Sequence, residues 1–145
     1  MTPAYDQHEL TARRREQHHN CWVCGQGIDH GLGVNYEIDP AGGVVGEFAC
    51  HEAYTGYPGF LHGGVVSSLL DGAMTNCLFA RGEVGVTADL QVRFKKPVLI
   101  GKPARIRAWH CGSRRSVRML SAELVQEGEV RASALGRFMN HPQEV

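Results

Sequence analysis

The stretch from Gly59 to Met74 constrains the fold of this 145-residue chain more strongly than any other. From residue 65 onward its apolar residues recur at helical spacing, and they cover so much of the circumference that most of the helix must be buried. Two features depart from an ordinary core helix. The first turn contains Gly63 and Gly64, which cost helix stability, and the apolar run contains Asp71, a carboxylate that needs a partner when buried. Such departures from local consistency indicate a functional site.

This arrangement suggests chemistry at a carbonyl group. The first N–H groups of a helix have no partner within the helix and carry partial positive charge, so glycines there would let a carbonyl oxygen approach as in an oxyanion hole. Asp71 could then serve as general base or nucleophile. Because Gly63 and Asp71 are eight residues apart, they are separated by about 12 Å along one helix. We therefore expect the glycines of one chain to meet Asp71 of a second chain in a two-fold homodimer.

Three motifs make the chain similar to a known family: His62-Gly63-Gly64 followed by Asp71, the lead-in at 56–61, and the stretch at 86–97. Over roughly residues 20–140 the chain resembles the hotdog-fold acyl-CoA thioesterases of the phenylacetate-pathway and THEM-type branch. The resemblance implies an α+β hotdog fold, in which a five- to six-stranded antiparallel sheet wraps a long central helix. It also implies an enzyme that hydrolyses an acyl-CoA to a free acid and coenzyme A.

The resemblance assigns catalytic roles to four residues. Asp71 matches a carboxylate that activates water or attacks the thioester carbon, and both routes stay open. The Gly63 N–H is the expected oxyanion donor, and His62 is expected to position the loop. Thr87 matches a Ser or Thr that orients the attacking water. Strict alternation puts Thr87 on the face opposite Val86 and its apolar partners, unless it faces a partner helix or the strand start is irregular.

Six further residues are candidates for substrate binding: Gly64, Gly56, Leu70, Arg93, Lys95 and Lys96. The acyl chain would lie along the apolar helix near Leu69, Leu70 and Met74. The basic residues at the end of the predicted strand would bind the phosphates of coenzyme A, and Arg114 and Arg115 in a predicted turn are additional candidates.

Periodicity predicts the same layout without the resemblance. Alternating residues predict strands over 32–38 and 44–50, joined by a turn at 40–43, and the helix is predicted to end near residues 80–82 at a glycine. Four more strands are predicted near residues 85–95, 103–112, 115–126 and 129–139, with turns at Gly112-Ser113 and Glu127-Gly128. One buried helix with consecutive antiparallel strands is an α+β layer.

Length and composition favour a single domain with a sizeable core. Residues 1–20 are a polar segment with a helix predicted at 9–17, residues 21–140 form the hotdog domain, and residues 141–145 are a tail. Fifteen basic and fifteen acidic residues give no net charge, which argues against nucleic acid as a partner. Five cysteines without disulfide-rich spacing favour a reducing, cytoplasmic compartment, and no apolar run is long enough to span a membrane.

The pair Cys21 and Cys24 raises the question of a metal. Zinc needs four ligands, and His18, His19 or His30 could add to the two sulfurs, but no second cysteine pair has zinc-ribbon spacing. A redox pair would need a strand before it and a helix after it. We therefore expect Cys21 and Trp22 to plug the end of the core, with no metal and no cofactor beyond the coenzyme A of the substrate.

The approach loop departs from the family pattern. Where related thioesterases carry an Asn or Gln that helps to bind the carbonyl or water, this chain has Thr55 and Gly56. A non-catalytic hotdog protein that binds acyl-CoA or lipid is therefore the alternative function. A hydratase would need a different loop-and-helix pattern, and a serine hydrolase would need a Gly-x-Ser-x-Gly elbow that Ser67 lacks. The sequence thus predicts a cytoplasmic acyl-CoA thioesterase, assembled as a homodimer or a dimer of dimers.

Overall fold

The computed structural model describes residues 4–141 and arranges them as two α-helices, one short 3-10 helix (Glu52–Tyr54) and six strands. The helices are α1 (Gln7–Gln17) and α2 (Gly63–Ala80), and the strands are β1 (Glu37–Ile38), β2 (Val44–Ala49), β3 (Gly85–Phe94), β4 (Pro103–Arg114), β5 (Val117–Gln126) and β6 (Glu129–Asn140). The strands form one antiparallel sheet in the order β1-β2-β4-β5-β6-β3.

Helix α2 packs against one face of this sheet and contacts strands β2 to β6. Alternate residues of the strands turn toward the helix and are buried, including Leu120 and Leu124 in β5. Small residues in β6 let the helix lie close: a Cβ at Gly136 would stand 3.0 Å from the Met74 sulfur. The buried helix and its six-stranded antiparallel sheet confirm the predicted α+β hotdog layout.

Helix α1 packs against helix α2, and its N-cap residue bonds to the end of α2. Its N-cap Asp6 accepts a hydrogen bond from the Glu9 N–H (3.0 Å), and the Asp6 N–H donates to the Ala80 carbonyl at the end of α2 (2.7 Å). Leu10 is fully buried. Because Asp6 caps the helix, it begins at Gln7, two residues before the predicted start. The predicted division at residue 20 stays a prediction, and residues 142–145 of the predicted tail lie outside the described residues.

Two local predictions were wrong. The strand predicted over 32–38 shrinks to β1, because the N–H groups of Leu32 and Val34 donate to the carbonyls of Trp22 and Val23 instead of to a strand. The turn predicted at Gly112-Ser113 is part of β4, where the register shifts between residues 110 and 112. The chain turns later, at residues 115–116. The turn at Glu127-Gly128 is confirmed, with positive φ angles of 54° and 75°.

Strand β3 forms one edge of the sheet, and among residues 4–141 it pairs only with β6. Its second edge therefore presents a row of unpaired backbone groups, which is a template for pairing with another chain. Neither helix within this part of the chain has the length and hydropathy needed to cross a membrane.

Candidate active site

At the start of helix α2, one backbone N–H group has no acceptor among residues 4–141. His62 is the N-cap, and its Nδ1 accepts a hydrogen bond from the Gly64 N–H at 2.8 Å. The N–H groups of Val65 and Val66 bond to the His62 carbonyl. The Gly63 N–H donates to no acceptor within residues 4–141. His62 thus satisfies Gly64 and leaves Gly63 as the donor available to a ligand.

A cavity of about 800 Å³ lies beside this donor, a size that suits a substrate or cofactor. Its walls include Gly63 and Val66 of α2, Phe94 at the end of β3 and the loop residues Thr55 and Gly56. A Cβ on Gly63 would lie 3.6 Å from the Phe94 ring. The ring therefore forms the wall next to the open N–H, and glycine at 63 leaves room there for a ligand oxygen.

The approach loop is fixed by its own hydrogen bonds. The Thr55 hydroxyl donates to the Glu52 carbonyl (2.6 Å), so it is not available as a donor to a substrate carbonyl. Gly56 packs so closely on the loop that a Cβ there would lie 3.0 Å from the His62 Cα. Tyr57 and Phe60 also line the cavity. The sequence analysis singled out Thr55 and Gly56 of this loop but gave no role to these two aromatic residues.

Asp71 and Thr87 meet away from the cavity. The Thr87 hydroxyl donates to Asp71 Oδ1 at 2.6 Å. The register of β3 shifts between Thr87 and Asp89, so Ala88 is an extra residue in the strand. This bulge places Thr87 on the helix-facing side together with Leu90, and the irregular strand start resolves the conflict that strict alternation posed.

The environment of Asp71 changes the pKa of its carboxyl. Burial raises the pKa of the Asp71 carboxyl above its usual range, the hydrogen bond from Thr87 opposes this, and a negative Cys21 nearby raises it further. A carboxyl whose pKa is moved toward neutrality by burial is suited to proton transfer.

Within one chain the two halves of the site stay apart. Strand β3 lies alongside α2, with Thr87 near its start next to Asp71 and Phe94 at its end next to Gly63. The eight-residue offset between Gly63 and Asp71 corresponds to about 12 Å along the helix, and Asp71 does not line the cavity. The predicted residues thus form two groups, one at each end of β3.

The apolar residues proposed for the acyl chain lie deeper than the cavity. Leu69, Leu70 and Met74 each have 0% exposure and pack in the core. Besides Gly63, the residue of α2 that lines the cavity is Val66, one turn before Leu70. The structure therefore does not bring Leu70 to the cavity, because the buried stripe of α2 faces the sheet at that point.

The basic residues predicted to act together lie on different faces. Lys95 and Lys96 line the cavity, whereas Arg93 borders a shallow groove on the outer face of the sheet. Lys96 forms an ion pair with Glu129, and the Lys95 ammonium has no partner in the described part of the chain. The structure does not bring Arg93 to the cavity with Lys95, because β3 ends at Phe94 and the chain after it no longer follows the alternation of the strand.

Three other residues given a role from the sequence, Arg114, Arg115 and Trp22, do not line the cavity. Arg114 is the last residue of β4 and pairs with Val117 at the end of the sheet opposite Phe94, and Arg115 begins the β4–β5 turn. Trp22 is 43% exposed, so its predicted role as a core plug was wrong. The buried residues that follow it are Val23, Cys24 and Gly25.

Comparison with known protein families identifies a family that covers both parts of this site. A model of the family described as "Thioesterase superfamily" matches residues 58–133, which is just over half of the chain and includes the start of α2, Asp71 and Thr87. The chain belongs to the thioesterase superfamily. Human (Homo sapiens) acyl-coenzyme A thioesterase 13 is 28% identical over 102 residues, which cover 69% of this chain and 73% of that protein.

Solved structures of the superfamily share the architecture. The crystal structure of a thioesterase superfamily protein is 26% identical, with a TM-score of 0.77, and the match covers 81% of this chain and 62% of that one. Thioesterase superfamily member 2 from Mus musculus, at 22% identity and a TM-score of 0.73, matches over 93% of this chain and 97% of its own and shares the fold.

Proposed function

We propose that this thioesterase superfamily member hydrolyses an acyl-CoA to a free acid and coenzyme A. The single observation that carries the proposal is the open Gly63 N–H, which His62 isolates at the start of α2 beside the cavity of about 800 Å³. The sequence relationship to human acyl-coenzyme A thioesterase 13 supports the substrate class. Lys95 at the cavity, whose ammonium has no partner among residues 4–141, offers a cation for a phosphate of coenzyme A.

The proposed mechanism places the thioester carbonyl oxygen on the Gly63 N–H. Negative charge that develops on this oxygen during attack is stabilised by the donor and by the positive end of the α2 dipole. Asp71 either takes a proton from the attacking water or attacks the carbon itself, and the Thr87 hydroxyl holds its carboxylate in place. In the general-base route, collapse of the tetrahedral species breaks the C–S bond, and the coenzyme A thiolate takes up the proton that Asp71 accepted from water. In the nucleophilic route, the same bond breaks to leave a mixed anhydride on Asp71, which water then hydrolyses to the free acid and the Asp71 carboxylate.

The proposed site is completed by a second copy of the chain. If two copies of edge strand β3 pair antiparallel about a two-fold axis near residues 90 and 91, Thr87 of one copy lies close to Phe94 of the other. Because Thr87 holds Asp71 and Phe94 contacts the Gly63 position, the open N–H of one chain then faces the partner's Asp71. Phe94 is 56% exposed in the single chain, and pairing would cover it.

Two wider assignments belong to the same proposal. The outer face of the sheet exposes Met119, Leu135 and Met139, an apolar surface on which two dimers could associate. The cytoplasmic location rests on the five cysteines of the sequence, which favour a reducing compartment.

The proposal is tested by thiol release from short-chain, long-chain and aryl acyl-CoAs, with wild type and Asp71→Asn in parallel. We expect wild type to cleave at least one class and the variant to lose about 10³-fold or more of kcat, as removal of a general base or nucleophile does. Sedimentation should give a dimer or tetramer for both proteins. Binding of acyl-CoAs without turnover by wild type would favour the non-catalytic alternative, and equal rates for the two proteins would remove Asp71 from the mechanism.

A further inference from the structure

Three metal-ligating side chains converge where α1 ends. His18 is the C-cap of α1, and Cys21 and Cys24 follow in a tight turn. The ligand atoms of the three residues all lie within 4.8 Å of one another. The His18 Nδ1 and the Cys24 Sγ are 3.6 Å apart. The helix end thus adds a nitrogen ligand to the two sulfurs of the cysteine pair.

The distance between nitrogen and sulfur matches a tetrahedral metal. With metal–sulfur bonds of about 2.3 Å and metal–nitrogen bonds of about 2.0–2.1 Å, a tetrahedral angle places the two ligand atoms about 3.6 Å apart. The observed separation of 3.6 Å equals this value. A donor set of one imidazole and two thiolates suits zinc among the common divalent cations.

The cysteine turn is held in shape by its backbone. The Cys21 N–H donates to the His18 carbonyl (3.1 Å), and the Gly25 N–H donates to the Cys21 carbonyl (2.8 Å). The Val23 N–H points at the Cys21 sulfur (3.4 Å). A Cβ at Gly25 would stand 2.5 Å from the backbone of Cys21, so only glycine closes the turn.

Helix α2 supports the cluster from behind with Asn76 and Phe79. The His18 and Phe79 rings pack nearly perpendicular to each other, with ring centroids 5.0 Å apart, which limits rotation of the imidazole. Asn76 is fully buried, within hydrogen-bonding reach of the Cys24 sulfur. Its Oδ1 has no hydrogen-bond partner among residues 4–141. A buried acceptor of this kind is the sort of group that a cation or its bound water satisfies.

We propose that His18, Cys21 and Cys24 bind one zinc ion, with the fourth coordination position open toward the solvent-facing cavity at residues 16–21. Such a site holds the segment after α1 onto α2. That segment carries Val23, which packs against α2 so closely that a Cβ at Gly72 would lie 2.6 Å from its methyl group. Gly72 follows Asp71 in the sequence, so the bound metal would stabilise the backbone next to the catalytic carboxylate. The proposal is independent of the proposed hydrolysis.

The first test is metal binding by the full chain, purified anaerobically without an affinity tag that binds metals. We expect about one zinc per chain by elemental analysis. After the metal is stripped with a chelator, Co²⁺ should give the visible bands of a tetrahedral site and thiolate charge-transfer bands in the near ultraviolet. Added Zn²⁺ should raise the Tm of the stripped wild type. Stripped wild type that neither takes up Co²⁺ at equimolar metal nor gains stability from Zn²⁺ would overturn the proposal.

Variants locate the site. Cys21→Ser, Cys24→Ser and His18→Gln should each weaken metal binding by at least about tenfold. The matched controls Cys111→Ser and His19→Gln, at exposed positions outside the cluster, should keep the wild-type affinity. Equal losses in the controls, or a Cys21–Cys24 disulfide in the anaerobic protein instead of bound metal, would contradict the assignment. Because the stripped wild type is measured as well, a variant that fails to fold does not decide the outcome.

Discussion

The variant Gly63→Ala separates a catalytic role of the helix start from a packing requirement. A Cβ built on Gly63 meets the Phe94 ring at 3.6 Å, which is ordinary van der Waals contact. Alanine is favoured over glycine within a helix by about 0.5–1 kcal/mol, and about 1 kcal/mol raises the Tm of a domain of this size by roughly 2–4 °C. The variant should therefore be as stable as wild type or slightly more so.

The activity of the same variant should fall steeply. If the substrate carbonyl binds the Gly63 N–H, the added methyl group occupies part of its approach, and loss of one oxyanion donor costs about 10²–10³ in kcat. The assay is thiol release from the best acyl-CoA of the panel, with Tm measured on the same samples. Gly64→Ala is the matched control: its Cβ would lie 3.0 Å from the His62 ring nitrogen, so it should also disturb the cap and lower stability. A Gly63→Ala enzyme within about threefold of the wild-type kcat would refute the assignment of the donor.

Three further predictions follow from the described contacts. Thr87→Val removes the hydroxyl that lowers the Asp71 pKa, so the acidic limb of the kcat/KM profile should move to higher pH, and Thr87→Ser should restore it; an unmoved limb would exclude Asp71 as the titrating group. Asp71→Asn should raise the Tm at neutral pH. Burial raises the pKa of Asp71 in the folded state, so the ionised carboxylate destabilises the fold once the pH rises through that folded-state pKa. The gain in Tm should vanish when melting is measured at a pH below the pKa of the carboxyl in the unfolded chain. Lys95→Gln should raise KM for acyl-CoA about tenfold with little change in kcat, whereas Arg93→Gln, on the other face of the sheet, should leave KM unchanged.

Regular elements could be predicted from the sequence because their patterns are local. The spacing of apolar residues in α2 and the alternation in β3 to β6 require only the period of a helix or strand. The separation of Gly63 from Asp71 follows from helix rise alone, and that separation is enough to predict a site shared between two chains. Alternation by itself groups Arg93 with Lys95, and only the end of β3 at Phe94 separates them.

Other features depend on contacts between distant segments or on a single inserted residue. The bulge at Ala88 decides which way Thr87 points, yet one extra residue leaves no mark on the alternation around it. Gly112 resembles a turn residue but lies at a similar irregularity inside β4. The approach of His18 to Cys24 depends on how α1 packs against α2, which local patterns do not encode. Leu70 was placed in the pocket because the sequence does not show which stripe of a fully apolar helix faces the sheet.

The most direct test of a site shared between two chains is recovery of activity in mixed dimers. Asp71→Asn and Gly63→Ala subunits, each inactive alone, are mixed, allowed to exchange and assayed for acyl-CoA hydrolysis. In a mixed dimer the intact Gly63 of one subunit faces the intact Asp71 of the other, so one of its two sites is restored. With random exchange half of the dimers are mixed, and about a quarter of the wild-type activity should return. If exchange is demonstrated and no activity returns, both groups belong to one chain and the proposed arrangement is wrong.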